Sequence, residues 1–357
     1  MKVVFVILDG MPPRHLGSEV MPTLTGLARD GAFAVGRSVM TSATYPNHAT
    51  FATGAGPIGH GVLANWINTD DGPRPSHTVG PKVPTIFDAC AAAGRSSLAV
   101  FGDHNLVGVM GAAAADEHWP VGGVFDDDVA RDGHNYAADP EVVARLVPAV
   151  GRGADLVVGH LNEPDTAAHM HGPDSDAALD NYRSTDAHLG TIVDAIRPAW
   201  DDTVLFVVSD HDLETTSDEA PVDLYQPMKR LGVDLVAIPE GNGAVVWGDD
   251  STHGEWLDPI DGVAGHAEAW PGARVVWADP GRLFGLPRGF GDYREAGHHG
   301  GSTTRNQVAV VAGGHPAAAR IAAAIAATPP TAADWAPTMA ALLEVSLPDA
   351  TGRNLAR

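Results

Sequence analysis

The chain has one cysteine, Cys90, in 357 residues. A lone thiol excludes an intrachain disulfide framework and a thiolate zinc cluster, so any metal must be held by histidine and carboxylate. Lysine is nearly missing, with Lys2, Lys82 and Lys229 the only three, and the formal net charge is −23. That balance argues against non-specific binding to nucleic acid or to an anionic membrane. No stretch reaches the ~20 apolar residues needed to span a bilayer. The N-terminal run Val3 to Leu8 is too short for a signal-peptide core, and no small-residue cleavage site follows it. The expectation is a soluble, cytoplasmic protein with neither nucleic acid nor membrane among its partners. Internal repeats and low-complexity linkers are absent too.

What the chain does have is size, turns and potential ligands. Hydrophobic residues make up 44%, beside 41 Gly and 27 Pro, an ordinary globular composition with many turns. The length allows two domains or one large α/β unit. The 45 acidic side chains and 17 histidines form a large pool of oxygen and imidazole ligands.

Several apolar runs end abruptly in polar residues. Val3 to Leu8 is continuous, as in a strand buried on both faces of a parallel sheet, and Asp9-Gly10 stops it. Open α/β sheets bind ligands at such carboxyl edges; the plainer alternative for Asp9 is a turn residue or helix cap. Ala32 to Met40, Ser97 to Phe101 and Gln307 to Ala312 read as further strands. The strand Asp155 to His160 leads into Asp165 and His169, which lie on one helical face if that turn is helical. Thr203 to Val208 ends in Ser209-Asp210-His211, and an adjacent acid and imidazole at a strand end are hard to explain as packing, a strand-end ion pair being the plainer alternative. Helices are expected over Pro22–Arg29, Pro84–Ala93, Pro140–Val150, residues 175–197, Pro316–Ala326 and Trp335–Glu344. Residues 111–135 read as irregular. From 212 to about 297 the pattern loosens into short strands, Ala244 to Trp247 and Arg274 to Trp277, among Gly/Pro loops, the mark of an inserted cap.

The stretch around Thr44 organises the rest. Pro46 suits the first turn of a helix and Gly54 the position just past its end. Thr44 therefore falls at or just before a helix N-terminus, where free N–H groups and the helix dipole favour an anion. Two roles fit: a simple N-cap, or a hydroxyl that reacts. Asp9, Thr44, Asp165/His169, Asp210/His211 and His299 together give oxygen and nitrogen ligands without sulfur. Such a set suits two zinc ions, or manganese or iron, more than calcium.

With these residues in place, the chain resembles the alkaline phosphatase superfamily, in its nucleotide pyrophosphatase/phosphodiesterase and phosphonoacetate hydrolase branch. The likeness is carried by Asp9-Gly10, Met21-Pro22-Thr23-Leu24, Thr44-Tyr45-Pro46-Asn47-His48, Gly59-His60-Gly61, Asn65, Asp165…His169, Ser209-Asp210-His211 and His299-Gly300-Gly301, in family order. It implies a three-layer α/β/α sandwich with a mostly parallel central sheet. Residues 1–211 and 298–357 would form the catalytic core and 212–297 a small inserted cap.

The resemblance also implies roles. One Zn2+ would be held by Asp165, His169 and His299, and the other by Asp9, Asp210, His211 and Thr44. Thr44 would attack phosphorus to give a phosphothreonine enzyme, with Asn65 helping the Thr44 backbone N–H to bind a phosphoryl oxygen. His298 competes with His299 as ligand; His48 and His60 read as supporting side chains. The substrate expected is a small phosphorylated molecule, a phosphodiester or nucleotide first. A phosphonate, a monoester, or a catalytically silent metal-binding role are the alternatives, and a homo-oligomer is compatible with all of them. Lysines that phosphonoacetate hydrolases carry after the third of these strands are replaced here by Gly102-Asp103-His104-Asn105. Asp212, after His211, adds a negative charge that disfavours highly anionic substrates. Tyr45 would flank an aromatic leaving group or simply pack in the wall.

Overall fold

The computed structural model describes residues 1–232, 234–248, 253–286 and 294–357. Its frame is a seven-stranded sheet. The strands in chain order are β1 (Lys2–Leu8), β2 (Ala32–Arg37), β3 (Ser97–Phe101), β4 (Glu117–Trp119), β5 (Leu156–Leu161) and β6 (Thr203–Val208). β7 (Val236–Glu240), β8 (Gly243–Trp247), β9 (Val263–Trp270) and β10 (Ala273–Ala278) build a separate sheet, and β11 (Asn306–Ala312) returns to the first. The large sheet runs β2-β11-β6-β1-β5-β3-β4. β1 pairs in parallel with β5 and β6, while β11 is antiparallel to both its neighbours.

The continuous apolar run of β1 resolves into two faces, because successive side chains of a strand point to opposite sides. Val3, Phe5 and Ile7 belong to one core, with side chains from α2 (Thr44–Thr53), α3 (Ile86–Ala93), α7 (Pro316–Ala327) and α8 (Trp335–Leu343). Val4, Val6 and Leu8 belong to the other, with α1 (Pro22–Asp30), α4 (Asp139–Arg152) and α6 (Asp176–Ile196). Burying each such side chain contributes about 1.5–3 kcal/mol, so a charge at Val6 would break the sheet at its centre. The chain is an α/β sandwich whose central sheet is mostly parallel, as expected.

Details differ from the sequence pattern. α3 starts at Ile86 because Thr85 and Asp88 form a reciprocal capping box. Within the stretch read as irregular lies the edge strand β4. The second sheet, β7-β8-β10-β9, is wholly antiparallel, and two of its four strands, β7 and β9, were not expected. It lies within the 212–297 segment and has its own apolar cluster around Val222, Leu224, Met228, Trp256 and Phe284. Ile238, Val245 and Trp247 pack against Leu63, Ala64 and Ile67. Among the described residues no helix is long and apolar enough to cross a membrane.

Candidate metal centre

The parallel strands share one carboxyl edge, and the sheet order sets what gathers there. β1 lies between β5 and β6, so Asp9, the segment after β5, and Asp210-His211 are delivered side by side. Gly10, at φ +60°, turns the chain immediately after Asp9. Its N–H donates to Asp210 Oδ1 at 3.0 Å. A Cβ at Gly10 would come within 2.8 Å of Asp165 Oδ1, so glycine is needed for the closeness of this packing as well as for the turn. After β5, α5 (Glu163–His171) presents Asp165 and His169 one helical turn apart. His299 lies beyond β10, on the segment that leads into β11.

Thr44 is the first residue of α2, and Ala43, not Thr44, occupies the cap position. Its Oγ1 lies 3.2 Å from His211 Nε2 instead of on a helix N–H. Asn65 Oδ1 accepts from Tyr45 N–H at 3.2 Å, which leaves the amide NH2 as the donor this side chain offers. Pro46 has no N–H, and Asn47 N–H closes on Ala43 O at 3.4 Å. Among the described residues this leaves Thr44 N–H as the unclaimed donor of the first turn.

The remaining distances define one compact centre. His211 Nε2 is 3.2 Å from Asp210 Oδ2 and 3.6 Å from Asp9 Oδ1. His169 Nε2 is 3.4 Å and His299 Nε2 3.8 Å from Asp165 Oδ1. The His211 and His299 rings stack at 3.8 Å between centroids. Two ligand groups recur, Asp165 with His169 and His299, and Asp9 with Asp165 and His211. His298 instead groups with His169 and Glu295.

The buried atoms of this centre fit a cation. Asp9 Oδ1, Asp165 Oδ1 and Asp210 Oδ2 have no hydrogen-bond partner among the described residues, nor does His299 Nδ1. Unpaired buried carboxylate oxygens are costly unless a positive charge meets them. Burial, then repulsion from Asp210 and Asp165, raises the Asp9 carboxyl well above the usual range. Burial works the same way on Asp165, but His169, His211 and His134 outweigh it and hold its carboxyl below that range. Burial, joined by His211 and His169, pushes the His299 imidazole far down, so its neutral form, the one that binds metal, is favoured. The donor set, carboxylate and imidazole without thiolate, suits zinc, manganese or iron.

Four contributors were not expected from sequence. His160 Nε2 sits 2.7 Å from Asp9 Oδ2 and orients that carboxylate. Glu295 lies 2.5 Å from His169 Nδ1 and 3.0 Å from His134 Nε2. Glu240 and Asn242, on the turn between β7 and β8, touch Asn65 and His299 respectively. Only His160 carried a sequence signal, as a polar residue inside an apolar strand. Tyr45 is 7% exposed and belongs to the core cluster, and its hydroxyl accepts from Asn105 Nδ2 at 2.8 Å, so its ring is wall packing. A cleft of about 630 Å³ opens over the centre, lined by Thr44, Asn65, Trp66, His299, Glu240 and Phe284 among others.

The family model for type I phosphodiesterase / nucleotide pyrophosphatase matches residues 3–269. Ectonucleotide pyrophosphatase/phosphodiesterase family member 1 of Rattus norvegicus is 24% identical over 224 residues, or 59% of this chain and 24% of the relative. Bis(5'-adenosyl)-triphosphatase enpp4 of Mus musculus is 22% identical over 246 residues, 66% of this chain and 52% of the relative. The chain thus matches only part of these longer proteins. Among solved structures, murine ectonucleotide pyrophosphatase / phosphodiesterase 5 superposes with a TM-score of 0.74 at 17% identity, covering 99% of this chain and 97% of that one. An inactive threonine-to-alanine form of that protein was solved in complex with AMP. Phosphonoacetate hydrolase from Sinorhizobium meliloti 1021, in complex with phosphonoformate, gives 0.65 at 18% identity over 87% of this chain and 89% of that one. At these identities the structural likeness establishes the fold.

Proposed function

Because this chain belongs to the type I phosphodiesterase / nucleotide pyrophosphatase family, we propose that its Asp/His centre hydrolyses a phosphodiester or nucleotide pyrophosphate bond. One observation carries the reading. The Thr44 hydroxyl stands 3.2 Å from His211 Nε2 at the start of a helix, among three buried carboxylates with unpaired oxygens. Two divalent cations fit there, zinc before manganese or iron. Asp165, His169 and His299 would hold one, and Asp9, Asp210, His211 and Thr44 Oγ1 the other. Bound there, such ions lower the pKa of a hydroxyl or water and offset negative charge on a phosphoryl group.

The protein's own groups then divide the work. Thr44 Oγ1 forms a bond to phosphorus as the bond from phosphorus to the leaving oxygen breaks, giving phosphothreonine and a departing alcohol or phosphate. Water then attacks that phosphorus, and the Thr44 hydroxyl is regenerated. The Thr44 N–H and the Asn65 amide donate to a non-bridging phosphoryl oxygen, adding to the positive field at the helix start. His160 keeps Asp9 in place, and Glu295 fixes the ring of His169.

The phosphonate alternative has less support. At the position of the expected lysines Asp103 is buried, and that burial raises its carboxyl to about 7. The test is Thr44→Ala, assayed on bis(4-nitrophenyl) phosphate with bound metal counted. Turnover is expected to vanish while both ions stay; retained turnover sinks the nucleophile assignment.

A further inference from the structure

The inserted sheet meets the centre through one turn. Glu240 ends β7, and Gly241-Asn242 leads into β8. The Glu240 carboxyl, 7% exposed and raised by burial to about 8, accepts the backbone N–H of Asn65 at 2.8 Å. Two residues on, Asn242 N–H donates to His299 O at 3.1 Å, and Asn242 Oδ1 accepts from Gly301 N–H at 2.5 Å. Gly241, at φ +66°, lies so close that a Cβ there would come within 2.1 Å of His298 Nδ1 and 2.2 Å of His299 O. The turn is therefore wedged between the Asn65 segment and the His299 segment.

Asn65 has few other fixed points. Its side-chain oxygen is tied to Tyr45 N–H, directly after Thr44, and its carbonyl oxygen accepts from Ser76. The aim of its amide NH2 depends on where the backbone at 65 and 66 is held. A buried side-chain oxygen that takes the Asn65 N–H fixes the backbone at that point, because the donor has no equivalent partner to move to. Without it the Asn65 N–H loses its partner.

We propose that Glu240 is a positioning residue for phosphoryl transfer: by holding the Asn65 backbone it aims the Asn65 amide at the phosphoryl oxygen. The inserted region thereby becomes part of the catalytic apparatus. This inference rests on the role given to Asn65 above.

The test is a cycle of Glu240→Ala, Glu240→Gln, Asn65→Ala and the double variant Glu240→Ala/Asn65→Ala. Each is assayed on bis(4-nitrophenyl) phosphate, with metal content measured alongside. Glu240→Ala is expected to lower kcat about 10- to 100-fold with KM and metal content nearly unchanged. Glu240→Gln keeps an acceptor oxygen and should recover to within about fivefold of the unsubstituted enzyme. The double variant should be no slower than Asn65→Ala, because both changes break one arrangement. Losses that multiply in the double variant, or a Gln variant as slow as the Ala variant, overturn the proposal. If Asn65→Ala is slow while Glu240→Ala is normal, only the positioning role falls. If Asn65→Ala itself turns over normally, the phosphoryl-binding role of Asn65 falls and the positioning role with it.

Discussion

Arg14 Nη1 donates to Asp212 Oδ1 at 2.6 Å, while its Nε holds Asp174 Oδ1 at 2.8 Å. Asp212 was expected to place an added negative charge beside the centre. The guanidinium instead offsets that charge, so Asp212 gives no ground for rejecting anionic substrates. Burial pushes the Asp212 carboxyl up, and Arg14 pulls it partly back. Arg14→Ala would leave this mostly buried carboxylate without its cation, the Leu213 N–H remaining on the same oxygen. The expected cost is about 1–3 kcal/mol of folding stability, read from urea unfolding midpoints. An unchanged midpoint would mean that the pair contributes nothing net.

The two adjacent histidines should separate by metal count. His299→Ala removes the imidazole beside Asp165 and is expected to leave about one tightly bound ion per chain. His298→Ala should leave two, since that ring faces Glu295 instead. Elemental analysis of the two purified variants checks this, and the opposite result would hand the ligand role to His298.

Removing the ions should weaken the fold itself. Asp9, Asp165 and Asp210 lie together at 6% exposure or less. Without cations they face one another in a place water scarcely reaches. Dialysis against a chelator is expected to lower Tm by about 5 °C or more, with recovery when zinc is restored. Identical melting curves would argue that the centre holds no ion under those conditions.

A pH dependence follows from His60, outside the centre. Its Nε2 lies 2.9 Å from Thr50 Oγ1, its Nδ1 accepts from Val62 N–H at 3.1 Å, and burial lowers its pKa to about 3. In the unfolded chain the imidazole titrates near 6.5. Below about pH 6.5 the unfolded chain gains a proton that the fold excludes, so stability is full above that pH and declines as pH falls toward 3. His60→Gln removes this term. The stability gap between His60→Gln and the unsubstituted protein should therefore be smaller at pH 5 than at pH 7.5, as compared by urea midpoints. A gap that stays constant assigns the acid sensitivity to other groups.

The parts of this molecule legible in sequence were those in which local chemistry and global position agree. Asp9 and Asp210-His211 stand where apolar runs stop, and a parallel sheet turns each such stop into a place on one edge. Asp165 and His169 were legible because a helical turn fixes their relation. β4 was missed because three residues at a sheet edge carry no periodic pattern. β9 was missed because register shifts between Val263 and Gly265 and between Glu268 and Trp270 break its alternation. Glu240 was out of reach for another reason: its meaning comes from Asn65, 175 residues away in the chain. Nothing local to a Pro-Glu-Gly-Asn-Gly turn says what it will touch.

The return of the chain as β11 has a consequence for any attempt to divide the protein. β2, at one end of the large sheet, has β11 as its sole neighbour there among the described residues, and β11 lies past residue 269, where the family match stops. A fragment ending at that boundary would carry Thr44 at the start of α2, behind a strand that has lost its hydrogen-bonding ladder to β11. Reactivity in such a fragment should reappear only when the missing C-terminal piece is supplied as a separate polypeptide.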